Sequence, residues 1–237
     1  MSSKVGNATW VVTKGEGGKY RRAGAENVVE VDGRLVEQRN AALEMAWTAG
    51  WPCCQIDDDL VKSAQASQNG GDEHIPPTSV IERLAADLRD SKAQMAGIPP
   101  TPNSFFFDPE RRVGLSTFII ASLIVVKPCG LFFDPAFRLK MDYDYTCQHL
   151  AKFGQVLRLN DLLVTFKHYA NAGGLTGWRT AERMAAVNTK LMEKWPGVFR
   201  HNPRRPNEVL MKWRPNRTLA AAFLDDARPG QRRPDHS

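Results

Sequence analysis

Three consecutive carboxylates, Asp57, Asp58 and Asp59, follow the apolar run 52–56. Ionised acids at the end of a core-like strand are costly unless something pairs with them. In extended chain Asp57 and Asp59 project to the same side. They can therefore share one hard cation, with Mg²⁺ or Mn²⁺ held between carboxylate and phosphate oxygens. Asp58 is left to reach a ribose or a sugar. The plainer alternative is a solvated acidic turn.

A second acidic group, Asp142-Tyr143-Asp144, opens a predicted helix. The helix dipole favours acids there whatever their role. The chemical reading is a general base that takes a proton from an acceptor hydroxyl, with Asp142 as first choice and Asp144 as its competitor. His168 stands at a predicted strand end before Gly173-Gly174, where an imidazole can complete a metal shell or meet a phosphate, or serve structure alone. Arg39 and Asn40 lie on a helix shortly before the acidic triplet, placed either for a nucleotide contact or for hydrating a helix face.

Other chemistries are excluded by what is missing. The chain has no G-x-x-x-x-G-K-[ST], G-x-S-x-G or H-E-x-x-H, which argues against P-loop phosphoryl transfer, the nucleophile-elbow hydrolases and zincin proteases. The four cysteines, Cys53, Cys54, Cys129 and Cys147, show no C-x-x-C spacing, and Cys53 and Cys54 in their apolar run read as reduced, buried thiols.

The elements that must position these groups follow from periodicity. Residues 9–13 and 27–31 read as strands, separated by a Gly-rich basic loop. Residues 35–49 carry apolar positions at helical spacing and are closed by Gly50. Residues 52–56 form a short buried strand. This strand–helix–strand order predicts parallel pairing, with the acids at a strand's carboxyl end, where ligands bind in open α/β sheets. Residues 63–78 read as a mobile loop or lid, 79–96 as a helix, 115–126 as strand, 142–153 as helix, 162–168 as strand, 171–174 as a turn and 178–194 as helix.

Two hundred and thirty-seven residues with 42% hydrophobic content suffice for one domain, expected over 1–225, with 226–237 as a basic disordered tail. The longest apolar run, 117–126, is strand-length, too short to span a membrane. The N-terminus lacks a secretory signal, so a cytoplasmic location is expected. The formal net charge is +6, which favours a polyanionic partner. Its cations concentrate late in the chain, at Arg200, Arg204, Arg205 and Lys212, then Arg214 and Arg217. They can track DNA phosphates or simply solubilise a tail.

The ordered set Arg39-Asn40, a short hydrophobic strand, Asp57-Asp58-Asp59, Asp142-Tyr143-Asp144 and His168 resembles GT-A glycosyltransferases. That resemblance implies a mostly parallel, Rossmann-like central sheet flanked by helices, with an antiparallel edge. It also implies a nucleotide-sugar donor, most commonly a UDP-sugar. More narrowly, RNAALEMA, CCQIDDDL, MDYDYTCQHL, HYANAGG and KWPGVFRHNPRRPNEVLMKW resemble the TET-associated glycosyltransferases of bacteriophages. The acceptor implied is the hydroxymethyl group of 5-hydroxymethylcytosine in DNA. GT-A enzymes often carry Glu-Asp at the base position, where this chain has Met141-Asp142. Two alternatives stay open: a GT-A enzyme with a non-DNA acceptor, and an inert DNA-binding module of the same fold.

Overall fold

A computed structural model describes residues 6–67, 71–167 and 179–214. In chain order its elements are β1 (Thr9–Thr13), α1 (Gly17–Arg22), β2 (Asn27–Val31), α2 (Leu35–Thr48), β3 (Cys53–Ile56), β4 (Leu60–Ala66), β5 (Asp72–His74), α3 (Pro77–Arg89) and β6 (Met95–Ile98). There follow β7 (Val113–Gly114), β8 (Ile120–Val126), α4 (Met141–Phe153), β9 (Leu157–Leu159), β10 (Leu162–Phe166), α5 (Ala181–Lys194), β11 (Phe199–Asn202) and β12 (Arg205–Met211).

Local chemistry sets the helix ends. The Glu37 carboxylate accepts the Arg34 amide at 2.8 Å and so closes the start of α2, a reach-back that satisfies one orphan donor. Pro77 opens α3, and Val80, Leu84 and Leu88 bury its apolar stripe, at the i, i+4 spacing of one helical face. Gly154, with φ of 76°, ends α4 in the left-handed conformation, which a glycine adopts without penalty.

The main sheet has the order β3-β8-β6-β9-β7. Strand β8 is antiparallel to both β3 and β6. Its side chains alternate between two cores. Ile124 and Val126 join the cluster that holds Val36 and Leu43 of α2 and Tyr145 of α4. Leu123 and Val125 join the cluster formed with Val80, Leu84 and Leu88 of α3. Helices therefore cover both sheet faces, and the shared strand makes one mixed α/β unit. Smaller sheets flank it: the parallel pair β1-β2, the antiparallel set β10-β4-β5, and the β11-β12 hairpin.

The expected mostly parallel central sheet is not found. Within the main sheet only β6 and β9 pair in parallel. A strand buried on both faces reads as a continuous apolar run, whether its neighbours are parallel or antiparallel, so β8 carried no direction signal. The strand–helix–strand unit is also rearranged: α2 packs against β1, β2 and β3, but β3 takes its hydrogen bonds from β8. The expected loop 63–78 instead holds most of β4 and all of β5, held by the Ser63 hydroxyl donating to the Ile75 carbonyl at 2.6 Å. The expected helix 79–96 starts at Pro77 and stops at Arg89. Beyond it the Ser91 hydroxyl takes the Ala93 amide at 3.2 Å, and Met95 and Ala96 belong to β6. The basic stretch after β1 contains α1. His168, the turn 171–174 and the tail 226–237 lie outside the described residues.

Candidate functional site

Strands β3 and β6 run in the same direction on either side of β8, so their carboxyl ends lie together. Ile56 is paired with Leu123, and the Asp57 amide donates to the Ser122 carbonyl at 2.9 Å. The acidic triplet leaves the sheet there. Asp57, Asp58 and Asp59 form the turn between β3 and β4, so the alternation expected of an extended chain does not apply to them. The Asp59 carbonyl accepts the Lys167 amide at 2.9 Å, which brings the end of β10 beside the triplet. His168 follows directly in sequence.

Arg39 is the hub of this site. Its side chain is buried, with Nη2 donating to Asp57 Oδ1 at 2.6 Å and Nη1 to Gln55 Oε1 at 3.0 Å. Gln55 Nε2 returns a bond to the Arg39 carbonyl at 2.9 Å, and the guanidinium lies 5.7 Å from the centre of the Phe133 ring. A buried cation is stable only with such partners. Nη2 is thus spent on orienting Asp57 and Nη1 on Gln55, while Nε is left without a hydrogen-bond partner among the described residues; the expected nucleotide contact falls to that one donor. Asn40 is likewise committed. Its amide accepts the Phe133 N–H at 2.8 Å and donates to the Phe133 carbonyl at 2.9 Å, tying α2 to the segment that leads into α4.

Asp58 is exposed at its tip. The protein crowding it, and next the charge of Asp57, push its carboxyl above the ordinary carboxylate range, while Lys19 pulls the other way. Asp58 in turn helps to raise the Tyr20 hydroxyl, after burial. The negative charge at Asp58 is thus only partly offset by Lys19. A carboxylate in that position suits a hard divalent cation. Of the triplet, Asp58 is the most open to such an ion, while Asp57 already shares one oxygen with Arg39. Among the described residues no group of three His, Cys, Asp or Glu side chains is assembled as a metal site; the expected third ligand, His168, lies outside them.

Asp142 opens α4 and still meets solvent in part. Dense protein around it desolvates the carboxyl and raises it to about 6, against the pull of the Tyr143 amide, Lys140 and Arg39. The Arg39 charge therefore acts on Asp142 as well as on Asp57. The first turn of α4 is fixed to the entry of β8, because the Thr146 hydroxyl meets the Asp142 carbonyl at 2.8 Å and the Ile119 carbonyl at 3.3 Å.

Asp144 is different. It is fully buried, with Oδ1 accepting from Trp195 Nε1 at 2.8 Å and Lys194 Nζ at 2.9 Å, and Oδ2 accepting from Gln148 Nε2 at 2.7 Å. Such a carboxylate cannot reach an acceptor. Its expected role as competing base is replaced by a structural one, joining α4 to α5.

Arg200, Arg204, Arg205 and Lys212 are exposed on and beside the β11-β12 hairpin. Phe199 and Val209 face the core formed with Trp195 and Val198. Arg200 pairs with Leu210, so Arg200 and Lys212 share the outward face. Glu208, on that same face, accepts from Lys140 Nζ at 2.7 Å, which fastens the hairpin to the start of α4. Gln55, Lys140 and Glu208 escaped the sequence reading. Only Gln55 carried a signal, as a polar residue inside an apolar strand two positions before Asp57, where a buried amide needs partners.

No protein family, curated protein or solved structure matches the chain.

Proposed function

We propose that this chain is a metal-assisted glycosyltransferase of the GT-A kind. It moves a sugar from a nucleotide-sugar donor, a UDP-sugar by analogy with the family it resembles, to the hydroxymethyl group of 5-hydroxymethylcytosine in DNA. One observation carries the reading: a carboxyl of raised basicity, Asp142, and a crowded acidic triplet lie under the influence of a single buried guanidinium, Arg39.

Each half of the reaction has a candidate there. A carboxylate whose affinity for protons is raised toward neutrality is suited to general-base work. Asp142 takes the proton of the acceptor hydroxyl. The hydroxyl oxygen then bonds to the anomeric carbon, and the bond from that carbon to the diphosphate oxygen breaks, its electron pair leaving with the nucleoside diphosphate. This is a single displacement with inversion, and Asp142 afterwards releases its proton to water. A Mn²⁺ or Mg²⁺ ion supplies Lewis-acid stabilisation of the leaving diphosphate when bound. Arg39 keeps Asp57 oriented, and Asp58 remains available to a ribose or sugar hydroxyl. The outward cations of the β11-β12 hairpin, fastened beside Asp142 by Lys140 and Glu208, are suited to phosphates of the acceptor strand.

The test is incubation with 5-hydroxymethylcytosine DNA and a panel of nucleotide sugars, followed by nucleoside mass spectrometry. The expected product is a glycosylated hydroxymethylcytidine that disappears in excess chelator. Donor hydrolysis without DNA product would displace the acceptor assignment. DNA binding with no donor consumption would displace the enzyme.

A further inference from the structure

Two large apolar side chains face solvent at the same end of the sheet as the acidic triplet. Phe105 is 84% and Phe106 69% exposed, with ring centroids 5.4 Å apart and planes at 86°. They sit on the short turn Ser104–Phe106, in the connection that leaves β6. The connection leads from the carboxyl end of β6 to β7, at the sheet edge opposite β3.

The turn is built to present them. Asn103 Oδ1 accepts the Phe105 amide at 3.0 Å, and Pro99, Pro100 and Pro102 stiffen its approach. Phe107 packs down onto Ala64, Ala66 and Leu163. On the far side Arg112 donates to the buried Asp161 at 2.9 Å, and Asn160 Nδ2 donates to the Arg111 carbonyl at 2.6 Å. Phe105 and Phe106 are thus held out on a rigid mount.

A small pocket lies between the approach to this mount and the end of β10. Ile98, Pro99 and Pro102 line one side and Val164, Thr165 and Phe166 the other; Lys167, the next residue, bonds Asp59. Cations border it. Lys62 stands opposite Thr165, Lys167 is exposed, and Arg111 is exposed beyond the turn. Asp108 is occupied in capping the Glu110 amide at 3.0 Å and pairing with Arg111 at 3.5 Å. An occupant that offers flat apolar faces between regularly spaced anions fits both features, and a stacked nucleic-acid strand is such an occupant.

We propose that Phe105 and Phe106 form a wedge that enters the base stack of the acceptor duplex beside the modified cytosine. The proposal rests on the DNA acceptor assigned above. A hydroxymethyl group inside a duplex can be drawn to an active site by extruding its base, at the cost of unstacking. Apolar side chains inserted at a base step offset that cost.

The experiment uses the double variant Phe105→Ala/Phe106→Ala of the full chain, with Mn²⁺ and UDP as donor-side probe. Both side chains are exposed, so an unchanged thermal melt is expected. Three duplexes are compared: fully paired, with the 5-hydroxymethylcytosine bulged, and with 2-aminopurine beside it. The variant is expected to bind the paired duplex roughly 5- to 100-fold more weakly. It should bind the bulged one with little loss, since unstacking is already done, and it should bind UDP as the wild type does. The 2-aminopurine fluorescence should rise with the wild type and stay flat with the variant. Equal losses on paired and bulged DNA, or no loss on either, would overturn the wedge. So would a loss seen only in binding to phosphatidylcholine vesicles, which would make the pair a membrane contact. With the nucleotide-sugar panel in place of UDP, a wild type that glycosylates none of the three would sink the DNA acceptor itself, whereas a wild type that does so alongside an equally active variant would sink the wedge alone.

Discussion

Asp142 and Asp144 stand two residues apart on one helical turn, yet they have opposite fates. Asp142 keeps contact with solvent, and burial, the main cause, pushes its carboxyl up to about 6. As a base it must be ionised, so turnover is expected to rise with pH through about 6 and level off above. Asp142→Asn should lose roughly 10²- to 10⁴-fold in kcat, abolish that acid limb and leave donor binding intact; a variant with normal turnover would overturn the assignment. Stability runs the other way. Its folded value of about 6 lies above the ordinary 3.8, so between these values the folded chain holds more protons, and its stability falls as pH rises through that window. At neutral pH the Asn variant should be more stable by on the order of 1–2 kcal/mol, allowing for the part of Asp142 that meets solvent. The gain should vanish below about pH 4, read by urea denaturation. Asp144→Ala strands Trp195, Gln148 and Lys194 around an empty site. It should cost about 3 kcal/mol in the same assay, whatever the substrate.

At the level of elements, the β11-β12 hairpin and the close packing of β6 make separate claims. If Arg204 and Arg205 meet phosphate, the double Ala variant should bind every DNA sequence more weakly and flatten the dependence of log affinity on log salt by about 0.9 per lost contact. Its UDP affinity should stay unchanged. An unchanged salt slope would move the DNA path off the hairpin. In β6, a Cβ added at Gly97 would run into the Ile119 side chain and approach the Leu123 carbonyl at 3.1 Å. Gly97→Ala is expected to destabilise by roughly 1–3 kcal/mol. Because Ile119 also bonds Thr146 of α4, the same change should reduce turnover by displacing Asp142. A variant that is destabilised but keeps wild-type turnover would show that β8 does not position the base.

For the whole molecule, two cores share β8, one under α2 and α4 and the other under α3. A ligand that binds the carboxyl ends of β3 and β6 leans on both. Mn²⁺ together with UDP should therefore stabilise the folded chain by about 2.7 kcal/mol at a hundredfold excess over Kd, seen as a raised midpoint of a single cooperative unfolding transition. Chelator should cancel the effect. No shift with either nucleotide or metal would argue against the donor site. No helix among the described residues is long and apolar enough to cross a membrane, in line with the short apolar runs of the sequence.

What could be read from sequence alone was whatever depends on local order. The Asp57-Asp58-Asp59 triplet after an apolar strand, the acids opening α4, the helical spacing of α2 and the outward cations near Arg200 are all one-dimensional patterns. The tertiary structure decided what those groups touch. Strand direction was invisible because β8 is buried on both faces. Asp144 and Asp142 looked alike until burial set one against Trp195 and left the other beside solvent. Arg39 read as a nucleotide contact or as hydrating a helix face because Gln55 and Phe133, 16 and 94 positions along the chain, meet it only through folding. The exposed pair Phe105-Phe106 would pass for core in any hydrophobic pattern, since sequence records how apolar a side chain is and only packing decides whether anything covers it.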